Sequence, residues 1–270
     1  MSYLKEFFES FKEQFMEEIS LGDIGEEIVH AIAPKTVFMF RAGSLDIRIT
    51  DAVLASWAVM IVIALLAWWL GHKAERLPSG NRQLVAESLV GLLMKLCQSA
   101  NMTYEQAEHV APFVGTIAVF ISLTNLTSMF KVPPPAKNPA FPIALALFTI
   151  LYVIWTSIRI VGLKGFWDSL IYPRAMLLPF KILDYFIKPV SLSLRLFGNV
   201  FGAFILMEFV YIVLPAFLPG LVGIWFDLAD GILQGAIFSY LTVTYISEVI
   251  EGAHLAKAAH AAAHGAQVAH

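Results

Sequence analysis

Arg195, in the stretch SLSLRLFGNVFGAF, is a permanent cation set in apolar sequence. On insertion scales an arginine at the centre of a membrane helix costs about 2.5–3.5 kcal/mol, so one found there pairs, lines a polar path or snorkels to an interface. Snorkelling is the ordinary reading, but here apolar residues continue for several turns on the C-terminal side. With about 100° of turn per helical residue, Ser191, Arg195, Gly198, Asn199 and Gly202 share one face. The two glycines are in the spacing that lets a second helix approach closely, whether that helix belongs to this chain or to another.

A second polar stripe lies in 221–250, where Asp227, Asp230, Gln234, Tyr245 and Glu248 fall within about 60° of one another on a helical wheel. A stripe of that kind faces protein or water. Carboxylates at membrane depth can take up and release protons, whereas an arginine stays charged, so the two residue types divide the labour of moving an ion. Each has a plainer alternative. Asp227 and Asp230 also suit caps of a helix start reached from water, and Glu248 and Glu251 suit a solvated helix end. Gln234 is the neutral partner expected deepest in the span. Glu208 lies about 20 Å along the helix from Arg195, which fits a channel mouth or a solvated helix end equally. His254, His260, His264 and His270 include one i, i+4 pair able to hold a metal, but their Ala-rich surroundings read as an exposed tail, so no metal is expected. A single cysteine, Cys97, excludes an intramolecular disulfide, and no Gly-rich phosphate loop or nucleophile constellation is present.

The elements that must hold these groups are membrane helices. Hydrophobic residues make up 58% of the chain and charged residues 14%, too little polar surface for a water-soluble domain, and several apolar runs reach the roughly 20 residues needed to cross a core of about 30 Å. The net charge of -3 decides nothing. The start of the chain is acidic and amphipathic with Phe7, Phe8, Phe11 and Phe15 along one side, unlike a cleaved signal peptide, and reads as retained. Residues 52–70 form the first span, ending in Trp68 and Trp69 and then the basic cluster His72, Lys73, Arg76 and Arg82, which places that end in the cytoplasm. Residues 84–96 are too polar to span and suit an interfacial helix. Residues 110–130 cross next, KVPPPAKNPAFP breaks the helix in an outer turn, and 141–163 return to a second basic region containing Arg159, Lys164, Arg174, Lys181 and Lys188.

The last two segments, 180–214 and 221–250, would be roughly 45–50 Å long as helices, well beyond the hydrocarbon thickness. Tilt, a kink at Pro189 or protruding ends can absorb the excess. Two adjacent overlong helices joined by LPAFLPG imply a slanted hairpin against something large. The expected fold is therefore all-α and integral to the membrane, with about five transmembrane helices plus the interfacial one. The acidic segment 1–51 lies outside, 52–251 form the membrane domain, and the Ala/His-rich tail 252–270 lies in the cytoplasm. No internal repeat or separate soluble domain is evident.

The string KPVSLSLRLFGNVFG resembles the signature of the a subunit of F-type ATP synthase around its essential arginine. TNLTSMF, LQGAIFSYLTVTYIS and the order of spans extend the likeness over about 52–251. The resemblance implies that Arg195 separates two offset half-channels and faces a ring of c subunits, with Ser191, Gly198 and Gly202 as rotor-facing packing. It implies places for Asn199, Asp227 and Gln234 on the ion path, to which the polar stripe adds Asp230 and Glu248 and the position along the helix adds Glu208. Further implied are a b-subunit peripheral stalk, the remaining synthase subunits as partners, a translocated proton or sodium ion, a bacterial inner membrane, no cofactor, no nucleic acid and no catalytic chemistry of its own. Asp227 stands where the family usually has glutamate or histidine. Phe204 departs from the pattern: many relatives have glutamate or histidine there, and Glu208, one turn on, only partly replaces it. The alternative is a secondary transporter or ion channel that binds substrate at the arginine; this chain lacks the repeats expected of that class.

Overall fold

The computed structural model describes residues 36–42, 45–72, 80–130, 132, 134–172, 175–213 and 223–268. The acidic segment before residue 36, Lys73 and Arg76 of the first basic cluster, and the LPAFLPG turn lie outside them. The chain divides into two compact units, Met1–Asp51 and Ala52–His270.

The first unit adds an element that the all-α expectation lacks, an antiparallel pair β1 (Thr36–Ala42) and β2 (Leu45–Thr50) in which Phe38 faces Ile49 and Phe40 faces Ile47. Its cause is local. TVFMFRA and LDIRIT are rich in β-branched and aromatic residues, and Gly43-Ser44 between them is a hairpin-type dipeptide.

The second unit is helical: α1 (Asp51–Gly71), α2 (Asn81–Ser99), α3 (Tyr104–Leu126), α4 (Ala140–Ile171), α5 (Leu178–Val213) and α6 (Gly231–Val268). Among the described residues, three stretches are long and apolar enough to cross a membrane, Asp51–Gly71, Tyr104–Met129 and Ala140–Ile171. Helix α1 buries only Ala52 and Val59 within the chain, and Arg82 at the start of α2 lies 5.4 Å over the Trp69 ring. Helix α3 starts on a capping box, Thr103 accepting from the Gln106 amide while Gln106 accepts from the Thr103 amide, which satisfies two donors the helix cannot.

Helices α5 and α6 have 36 and 38 residues, rises of about 54 and 57 Å. Helix α5 runs through Pro189 as one continuous element. Where a single α-helix is expected from residue 221, a π-helical segment Trp225–Asp230 precedes α6. Beyond residue 252 the Ala/His-rich sequence stays helical to Val268, with Ala253 and Ala256 buried; alanine is the best helix former and its small side chain permits close packing.

Helix α6 packs closely on α3 and α4, α4 on α5, and α2 on α3. One core joins Cys97, Val110, Val114, Val153, Val243 and Ile246; a second joins Ile117, Ile121, Ala146, Leu192, Leu196 and Phe238. Gly162, at φ 76 and ψ 163, breaks α4, a conformation that glycine alone adopts without strain. The segment after the break presents the Ser169 and Tyr172 carbonyls to Lys181 Nζ at 2.5 and 2.8 Å. That lysine fastens the start of α5 to the end of α4.

Candidate functional site

Helix α5 divides its faces sharply. Leu192, Ser193 and Leu196 point into the bundle, whereas Ser191, Arg195, Gly198 and Gly202 are exposed. A Cβ placed on Gly198 or Gly202 would meet nothing within 4 Å. The close-packing glycines of this bundle are others: Gly231 and Gly235 of α6 lie against Asn125, Ser122 and Ala118 of α3. Arg195 is therefore exposed on α5, and among the described residues no carboxylate forms an ion pair with it.

Behind that face, one helical turn on, Asn199 Nδ2 donates to Gln234 Oε1 at 2.6 Å. Gln234 is 1% exposed, and its Nε2 has no partner among the described residues. Both side-chain atoms of Asn125 are likewise buried without a partner, at the end of α3 against Gly231. Burying amide groups unpaired costs free energy, which sets these two residues of α3 and α6 apart from the apolar core around them. Asn125 was legible only as part of TNLTSMF; a lone amide in an apolar span is the signal that points to it.

A second contact ties the same helices lower down. Lys188 Nζ pairs with Glu248 Oε2 at 2.7 Å, and the ammonium lies 4.8 Å from the Tyr245 ring centre and 5.4 Å from that of Tyr185. Going down α5 from Asn199 to Lys188 corresponds to going up α6 from Gln234 to Glu248, so the helices run antiparallel. They meet through long side chains, because α6 rests its backbone on α3 and α4 and α5 rests on α4. Lys188 was read from sequence only as a member of the basic region, although it is two turns from Arg195 on the same face.

Of the other expected path residues, Asp230 ends the π-helical segment and is half-buried. A π turn holds more residues than an α turn, so the α-helical wheel that aligned Asp227 with Gln234 does not carry across this segment. The side chains of Asp227 and Glu208 lie outside the described residues; their backbones are in the π-helical segment and in α5.

Among the described residues, three helices apolar enough to span and two longer ones that bring polar and charged side chains together describe an α-helical membrane protein. Residues 53–247 match the family described as ATP synthase A chain. Similar proteins include ATP synthase subunit a of Moorella thermoacetica, 30% identical over 81% of this chain and 98% of the relative. They also include ATP synthase subunit a 1 of Crocosphaera subtropica, 29% identical over 80% and 93%. ATP synthase subunit a, sodium ion specific, of Propionigenium modestum is 28% identical over 76% and 75%. The chain belongs to the ATP synthase A chain family, that of a membrane subunit of the synthase complex.

Proposed function

We propose that this chain is the ion-translocating stator subunit of an F-type ATP synthase, supplying two offset half-channels that pass protons or sodium ions to and from a ring of c subunits. The reading is carried by Arg195, an exposed cation with no ion pair among the described residues, beside two glycines whose added Cβ would meet nothing within 4 Å. A carboxylate on the rotor supplies the missing counter-charge, and the glycines let the rotor helix come close. An ion arriving through the outer half-channel neutralises that carboxylate, which then rides the ring through lipid and empties into the inner half-channel. Arg195 blocks the short way round because it cannot lose its proton and repels cations. The chemistry of ATP belongs to other subunits of the complex; a b-subunit stalk holds this one still. The membrane is a bacterial inner membrane, with 1–51 outside and the C-terminal segment in the cytoplasm.

Asn199 and Gln234 hold the arginine-bearing face in register with α6 and, with the buried amide of Asn125 and the half-buried Asp230, edge the outer path. A cysteine at Gly202 paired with one at the facing rotor position is expected to form an oxidative cross-link when the ring is present. Failure to link at any rotor position, in complexes that still contain the ring, would remove the rotor-facing assignment.

Glu208 and Asp227 complete the outer inlet. Glu208→Gln and Asp227→Asn are each expected to slow ion-driven ATP synthesis several-fold, and together more than either alone. Synthesis rates in sealed vesicles across a range of external pH provide the check; an unchanged double variant would assign both residues to plain solvation.

A further inference from the structure

At the opposite end of the α5–α6 contact from Asn199, α4, α5 and α6 enclose an open-sided cavity lined by Ser169, Lys181, Asp184, Tyr185, Lys188 and Glu248. Its charges are not equivalent. Lys181 is committed to two backbone carbonyls of α4, and Asp184 is exposed. Lys188 is 14% exposed while its partner Glu248 is 56% exposed, so the pair spans the cavity wall with its cation inward and its anion towards the opening. The ammonium is further held between the Tyr185 and Tyr245 rings, a placement that favours a cation. From Lys188 to Arg195 is two turns along one face of α5, about 10 Å.

We propose that this cavity is the aqueous inner mouth of the ion path and that the Lys188–Glu248 pair is its electrostatic gate. The inference rests on the half-channel reading above. Lys188 is the positive barrier that an ion leaving the Arg195 face must pass, and Glu248 is the counter-charge that lowers that barrier enough for passage. The two members therefore act in opposite senses, which a pair serving only to tie α5 to α6 would not do.

The test uses the whole complex, with its ring, in sealed vesicles. Lys188→Met keeps the apolar stem between the rings and removes the barrier, and ion flux by way of the ring, with Arg195 still barring direct passage, is expected to rise roughly tenfold, equivalent to about 1.4 kcal/mol. Glu248→Gln leaves the ammonium uncompensated, and ion-driven synthesis is expected to fall by a similar factor without a leak. The Lys188→Met/Glu248→Leu double variant, which replaces the tie by apolar contact, is expected to assemble normally and still show the raised flux through the ring. A tie alone predicts that both single variants lower assembly together and that the apolar pair restores normal coupling; either result overturns the gate. Asp184→Cys is expected to react with a membrane-impermeant maleimide from the cytoplasmic side, and an unreactive thiol would overturn the aqueous mouth. If instead Arg195→Ala left synthesis intact, the half-channel reading itself would fail, a result distinguishable from failure of the gate alone.

Discussion

Replacing Arg195 with alanine is expected to abolish ion-driven ATP synthesis and ATP-driven pumping while letting ions exchange passively through the assembled complex. The side chain is exposed on α5 and has no ion pair within the described residues, so its loss breaks no salt bridge among them. What it removes is the fixed charge between two aqueous paths. An ion crossing 100 mV gives up about 2.3 kcal/mol per charge, and without a separator that energy is lost in a short circuit between the paths instead of turning the ring. Synthesis in sealed vesicles is expected to fall by at least about a hundredfold, or ~2.7 kcal/mol, with the amount of assembled complex unchanged. Arg195→Lys is expected to fail as well, because a lysine enclosed between this face and the rotor can shed its proton and let the barrier lapse. Normal synthesis by the alanine variant would end the assignment of Arg195 as separator.

Arg195 was legible because a permanent charge inside an apolar span demands an explanation from its cost alone. The Asn199–Gln234 contact is the meeting of two amides, one on each of the long helices, that periodicity had already put on the expected polar faces. The Lys188–Glu248 pair was not legible, since it depends on how far two helices slide past one another, and periodicity within each helix is silent on that offset. Nor could a helical wheel anticipate the π-helical segment at Trp225–Asp230, because the wheel assumes the very pitch that the segment changes. The β1–β2 pair is hidden for a different reason: charge and amphipathicity dominate 1–51, and its signs are a short apolar run and an alternating one, LDIRIT, on either side of a Gly-Ser dipeptide. Glycines carried the sharpest ambiguity. Sequence could not say whether a small-residue face meets a helix of the same chain or of another, and only the packing separates Gly198 and Gly202 from Gly231 and Gly235.

That separation makes two substitutions of the same kind expected to fail in different ways. A Cβ on Gly235 would collide with Ser122 Oγ and come within 2.5 Å of the Ala118 carbonyl oxygen. A serine hydroxyl can rotate away, but a helical backbone carbonyl cannot, so Gly235→Val must push α6 off α3. Overpacking of a tight interface costs about 1–3 kcal/mol and more where backbone must move. The cost here reaches beyond the interface, because Gln234 is the adjacent residue and its 2.6 Å bond to Asn199 would be pulled out of reach. Gly235→Val is therefore expected to lower both the amount of folded subunit in the membrane and its thermal stability in detergent by several degrees. Gly202→Val has open space around its Cβ and is expected to leave both quantities unchanged when the subunit is purified alone. Its defect is expected only with the ring present, as weaker retention of the ring on copurification, because the added methyl groups occupy the space proposed for the rotor helix. Equal destabilisation of the isolated subunit by both variants would mean that the Arg195 face packs against this chain after all, and the rotor contact would have to be sought on another surface.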